Sequence, residues 1–139
     1  MGLNHKQIGE VAERTGLSLR TIRYYEEVGL VVPSSRSQGG FRLYTEADIA
    51  RLELVMRMKP LDFSLEEMRD LLTALDGLEA EADADADERA HLLDRLDTYR
   101  QVAEERCRSL RTQLDTAEEF AASLRAEVRH QRREARKAR

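Results

Sequence analysis

The sequence predicts a mostly α-helical chain: a small helix-turn-helix domain carrying a β-hairpin wing, followed by one long helix that pairs as a coiled coil. Three observations carry that expectation. Between Gln7 and Gly29 two short helical stretches flank a Thr15-Gly16 break. Between Thr45 and Gly77 two more helical stretches each open on a capping motif. From Leu93 onward the apolar residues recur every seven positions, and no Pro or Gly interrupts residues 78–139.

Taken in order, Ile8, Val11 and Ala12 lie on one helical face and predict a first helix from about Gln7 to Arg14. Ser18 is a good N-cap for a second helix, in which Leu19, Ile22 and Val28 face inward and Arg20, Thr21, Arg23 and Tyr24 face away. Val31-Val32-Pro33 and Phe41-Arg42-Leu43-Tyr44 bracket the turn-rich SSRSQGG and predict the two strands of the wing, with Gly39-Gly40 at its turn. Alternation puts Phe41 and Leu43 on one face, Arg42 and Tyr44 on the other. Thr45 to Asp48 and Ser64 to Glu67 have capping-box spacing. The first opens a helix through Ile49, Leu52, Val55 and Met56 that stops near Lys59-Pro60, and the second opens one through Met68, Leu72 and Leu75 that Gly77 closes.

The expected divisions are a helix-turn-helix domain over 1–77, an acidic linker or helix start over 78–88, a dimerisation helix over 89–128 and a basic, irregular tail over 129–139. Leu93, Arg100, Cys107, Leu114, Ala121 and Val128 take position a of the heptads, with Leu96, Ala103, Leu110, Ala117 and Leu124 at position d. Only Arg100 among them is charged. A helix of about 40 residues, ~60 Å long, cannot bury such a seam on a small domain. A second copy is the implied partner, in an orientation that the seam alone leaves open.

Net charge misleads here. The total is −4, but residues 1–59 carry +2, residues 60–97 carry −10 and residues 98–139 carry +4, so placement decides. One cysteine excludes a disulfide within the chain and fits a reducing cytoplasm, and no apolar run reaches the ~20 residues of a membrane span. The expected location is the cytoplasm, in association with the nucleoid, with no membrane partner. Asp83, Asp85 and Asp87 do not make a calcium loop, because its sixth and twelfth positions hold Glu88 and Asp94. Nothing resembles a nucleophile-base set, a phosphate-cradling loop or a ligand cluster, so no enzyme, cofactor or metal site is expected.

The stretch from Ser18 to Tyr44 has the chemistry of a DNA reader. Arginines make paired hydrogen bonds to guanine edges or phosphates, hydroxyls hold phosphates, and a short helix fits the major groove.

IGEVAERTGLSLRTIRYYEEVGL, then GGFRLYTEADIARL, then DFSLEEMRDLL, then a long heptad helix, resembles the mercury-resistance-type (MerR) family of bacterial transcription regulators over residues 7–75. The resemblance implies a winged helix-turn-helix, an antiparallel coiled-coil homodimer and a pseudo-palindromic promoter whose over-long spacer is bent and untwisted, activating or repressing transcription by the RNA polymerase that shares it. It implies that Ser18, Arg20, Thr21 and Arg23 meet the groove, that Tyr24, Tyr25, Arg42, Tyr44 and Lys59 touch phosphates or support residues that do, and that Arg36 lies in the wing loop. Other readings stand beside these: Tyr25 as packing between helix and wing, and Arg23 as a partner of Glu26 or Glu27.

Two departures from the family pattern stand out. Asp62 replaces a customary Gly, and the cysteines of metal-sensing members and the large ligand domain of drug-sensing ones are both missing. Cys107 in the seam reads as a small hydrophobe or a redox switch, and Arg100 as a register-setting residue or a partner of Asp97 or Glu104. A competing function is a coiled-coil interaction module with a degenerate DNA-binding domain, which the acidic block favours and the basic wing opposes.

Overall fold

A computed structural model describes residues 5–80 and 85–139. The elements are β1 (Lys6–Gln7), α1 (Ile8–Thr15), α2 (Leu19–Glu27), β2 (Ser35–Arg36), β3 (Arg42–Tyr44), α3 (Glu46–Met58), α4 (Leu65–Glu79) and α5 (Ala86–Lys137), with a 3-10 turn at Lys59–Leu61. Residues up to Thr98 form one compact unit and Tyr99–Arg139 a second.

In the first unit, the caps expected from the sequence set the helix starts. Ser18 accepts the Thr21 amide at 3.1 Å, and both capping boxes close reciprocally, Thr45 with Asp48 and Ser64 with Glu67. Gly16, at φ 76°, ends α1 in the left-handed region, where a side chain is disfavoured. Val11, Ile22, Ile49, Leu52, Val55 and Leu72 are buried together as the core. This is the apolar face that the helical spacing predicted.

The sheet differs from expectation in three ways. Its order is β1-β3-β2, all antiparallel, so a strand ahead of α1 joins the wing and makes β3 central. The first wing strand is Ser35–Arg36 rather than Val31–Pro33: Val31 is buried in the helical core and leaves the sheet to its neighbours. The faces of β3 are also reversed. Tyr44 is fully buried while Phe41, near the hairpin tip, is 65% exposed. Alternation assigns residues to two faces but does not say which face is inside. Tyr44 lies at the base of the wing, beside α3, where an aromatic ring can cover the core, and Phe41 lies beyond it.

Burial pushes the Tyr44 phenol above its ordinary pKa, and its Oη has no hydrogen-bond partner among the described residues. Removing that oxygen should therefore be harmless. Tyr44→Phe is expected to match the unaltered chain or to exceed its stability by up to about 1 kcal/mol in urea unfolding, because a buried unsatisfied hydroxyl costs free energy. A loss of more than about 1 kcal/mol would show that the hydroxyl is paired after all.

Asp62 takes the left-handed conformation that favours Gly, at φ 61° and ψ 32°, where it ends the 3-10 turn. Gly77 does not stop its helix. α4 runs through it to Glu79, and a Cβ there would come within 2.9 Å of a methyl of Leu92 on α5. The glycine serves the close approach of two helices. Of the expected linker, residues 81–84 lie outside the described residues, and Asp85 caps α5 by accepting the Glu88 amide at 2.8 Å.

In the second unit, α5 continues past Val128 to Lys137, so the tail expected to be irregular is helical. Its Ala, Arg, Gln, Glu and Lys are strong helix formers, and Gln131 donates to Glu127 one turn back at 2.7 Å. Arg100 is held by Glu104 at 2.7 Å, one of the two carboxylates proposed for it. Cys107 is exposed in the single chain, as are Leu110, Leu114, Leu124 and Val128.

Candidate nucleic-acid interface

α2 presents the polar face that its sequence demands. Ile22 and Tyr25 are buried on one side, which leaves Ser18, Arg20, Arg23 and Tyr24 exposed on the other and Thr21 half-buried. Neither Arg20 nor Arg23 makes an ion pair among the described residues. Each therefore keeps its whole guanidinium for a ligand. Ser18 and Thr21 share a 2.9 Å hydroxyl contact besides the cap, which fixes both at the start of the helix.

The alternative partners proposed for Arg23 are otherwise engaged or unbonded to it. Glu26 accepts from Arg36 at 2.9 Å and from Arg42 Nε, and its own side chain is only 15% exposed. One carboxylate on α2 thus ties down both wing arginines. Arg36 also donates to the Gly40 carbonyl at 3.2 Å across the hairpin turn, and the hydrogen bond that Arg42 itself makes to Glu26 raises the pKa of the Arg42 guanidinium. The terminal nitrogens of Arg42 make no hydrogen bond among the described residues, so it can grip Glu26 and a phosphate together.

A cleft of about 320 Å³ is lined by Tyr24, Tyr25, Lys59, Asp62, Phe63 and others, and it brings Lys59 beside the two tyrosines of α2. Lys59 and Tyr24 are exposed, and the two tyrosine rings lie 5.8 Å apart in a tilted arrangement. Tyr25 is 2% exposed and is mainly packing, as its alternative reading had it. Tyr44, expected at the phosphate face, is not available there at all, because the core encloses it.

Two supports of this face escaped the sequence. Buried Asp48 accepts from the Ser34 amide at 3.0 Å and from the Ser34 hydroxyl at 2.8 Å, besides closing its own capping box with the Thr45 amide at 2.9 Å. It pins the base of the wing to α3. Glu26 is the other. Two adjacent acids, Glu26 and Glu27, inside a stretch with four arginines were the available signal for it, since such residues invite pairing with the arginines around them. Elsewhere Arg14 clamps Glu46 through two bonds, at 2.6 and 3.0 Å, and so joins α1 to α3; that pairing holds the Glu46 carboxyl below its usual pKa.

A family profile described as MerR HTH family regulatory protein matches residues 7–75, the span of α1 to α4 that carries these groups. The solved structure of the transcription regulator PbrR691 from Ralstonia metallidurans CH34, in complex with lead(II), is 30% identical. The match covers 78% of this chain and 82% of that one with a TM-score of 0.50. The chain belongs to the MerR family. Among MerR relatives, the transcriptional regulator ZntR of Escherichia coli K12 is 45% identical over 67 residues, 48% of each chain. HiNmlR, a MerR family regulator lacking the sensor domain and bound to promoter DNA, shares the fold at a TM-score of 0.61 and 23% identity, over 85% of this chain and 88% of that one. The chain spans about half the length of ZntR and 30% of TipA from Streptomyces coelicolor.

Proposed function

We propose that this MerR-family chain is a sequence-specific DNA-binding transcription regulator. It acts as a homodimer on a pseudo-palindromic promoter, distorts the promoter spacer, and meets RNA polymerase through the DNA they share. The single observation behind this reading is the face of α2, where Arg20 and Arg23 stand exposed and unpaired beside a wing locked to the same helix by Glu26. A helix of that kind reads base edges in the major groove, while Arg42, Lys59 and Tyr24 hold the flanking phosphates. Family membership and the DNA-bound relative point the same way.

The exposed seam of α5 supports the dimer, since Leu114 alone is 57% exposed in one chain. No helix among the described residues is long and apolar enough to cross a membrane, and we place the protein at the nucleoid, in the cytoplasm.

Gel shift with the chain's own upstream DNA tests the proposal. Several phosphate contacts per dimer release counterions, so affinity should fall about 10³-fold or more between roughly 50 and 200 mM salt. Failure to bind that DNA at low salt would overturn the proposal.

A further inference from the structure

α5 carries two surfaces that nothing described in a single chain covers. One is the apolar seam, where Leu110, Leu114, Leu124 and Val128 are between 43% and 57% exposed. The other is a stripe of Arg125, Arg129, Arg132 and Arg136, spaced three and four residues apart on one flank of the helix. All four are exposed, and none makes an ion pair among the described residues. Nearer the helix start the same flank carries Asp94, Asp97 and Glu104, all exposed, and Glu104 pairs with Arg100 at 2.7 Å on the solvent side.

Charge chooses the orientation of a second copy. Laid parallel, the two arginine-rich ends lie together and repel. Laid antiparallel, each arginine stripe runs along the other copy's acidic stretch.

Seam volume then chooses the register. When Leu114 faces the partner's Ala117, Leu110 faces its Ala121, Cys107 its Leu124, Ala103 its Val128 and Leu96 its Ala135. Every one of these layers sets a large side chain against a small one, and Arg100 meets Gln131, polar against polar. A shift of one heptad either way stacks leucine on leucine in one layer, as in Leu110 on Leu114 or Leu114 on Leu124, and alanine on alanine in another. Those registers alternate crowding with voids. In the favoured one, Arg136 lies level with the partner's Asp94, and Arg125 and Arg132 fall beside Asp97 and Glu104. The extension of α5 beyond Val128 supplies Ala135 to the seam and Arg136 to the stripe.

We propose that the arginine stripe of α5 is a docking surface for the acidic stretch Asp94–Glu104 of a second copy, an electrostatic clasp that fixes the antiparallel coil in this one register. The inference rests on the homodimer proposed above.

The test is sedimentation equilibrium of the full chain. Reversing the stripe with Arg129→Glu, Arg132→Glu and Arg136→Glu should raise the dimer dissociation constant roughly tenfold or more near 50 mM salt, and the gap should close to about twofold near 0.5 M. Mixed with a chain carrying Asp94→Arg and Asp97→Arg, the reversed chain should form the heterodimer in preference to either homodimer. Register is read separately: on mild oxidation a Leu124→Cys chain should join Cys107 of one copy to the thiol introduced at position 124 of the other, as mapped by peptide mass spectrometry. A reversed chain that dimerises as tightly as the unaltered one at low salt overturns the clasp and leaves the dimer standing. Disulfides joining only like positions overturn the register. An unaltered chain that stays monomeric removes both the clasp and the dimer beneath it.

Discussion

Arg20→Ala and Arg23→Ala should each cost about 1–3 kcal/mol of binding to the cognate duplex while leaving binding to scrambled duplex nearly unchanged. Both side chains stand on the exposed face of α2, and neither is spent on an ion pair within the described residues, so their removal takes nothing from the fold. Thermal unfolding of both variants should accordingly match the unaltered chain to within about 0.5 kcal/mol. Arg42→Ala is the contrast. It should weaken all sequences alike, because its proposed contact is to phosphate, while Glu26 on α2 keeps Arg36 as a partner at 2.9 Å. Titration of each variant against cognate and scrambled duplexes separates the cases. Equal losses on both duplexes for Arg20→Ala would remove it from base readout.

The largest effect on stability is expected from Asp48→Ala. The carboxylate is 6% exposed and accepts from the Thr45 amide, the Ser34 amide and the Ser34 hydroxyl, so its loss strands three donors at the junction of wing and α3. A lost cap costs about 1 kcal/mol, and the two further hydrogen bonds to exposed Ser34 add about 1 kcal/mol each at most, for an expected total of about 2–3 kcal/mol in urea unfolding. Asp48→Asn keeps one acceptor oxygen and should lose roughly half as much. DNA binding should weaken in step with the loosened wing, even though Asp48 touches no DNA. A loss under about 1 kcal/mol for Asp48→Ala would mean that Ser34 and Thr45 find water without cost.

The helices were legible from the sequence because their signals are local. Ser18, Thr45-Asp48 and Ser64-Glu67 cap where their spacing placed them, and Ile22, Leu52 and Leu72 turn inward as helical periodicity required. The wing was less legible because its strands are only two or three residues long, too short for alternation to say which side is buried. Tyr44 was misplaced for that reason. Gly77 misled in another way: a glycine near a helix end is commonly a stop, yet here it makes room for Leu92, which lies on a helix still to come. The pairing of Glu26 with Arg36 and Arg42 crosses from helix to wing, and only the folded chain brings those three side chains together.

In the proposed dimer, paired α5 helices present two copies of α2 to one face of a duplex. Hydroxyl-radical footprinting of the purified dimer on its own upstream DNA tests this most directly. Two protected half-sites are predicted, related by approximate two-fold symmetry, with centres a whole number of helical turns apart at ~34 Å per turn. A single protected half-site, or two whose centres fall a half-turn out of phase, would contradict it.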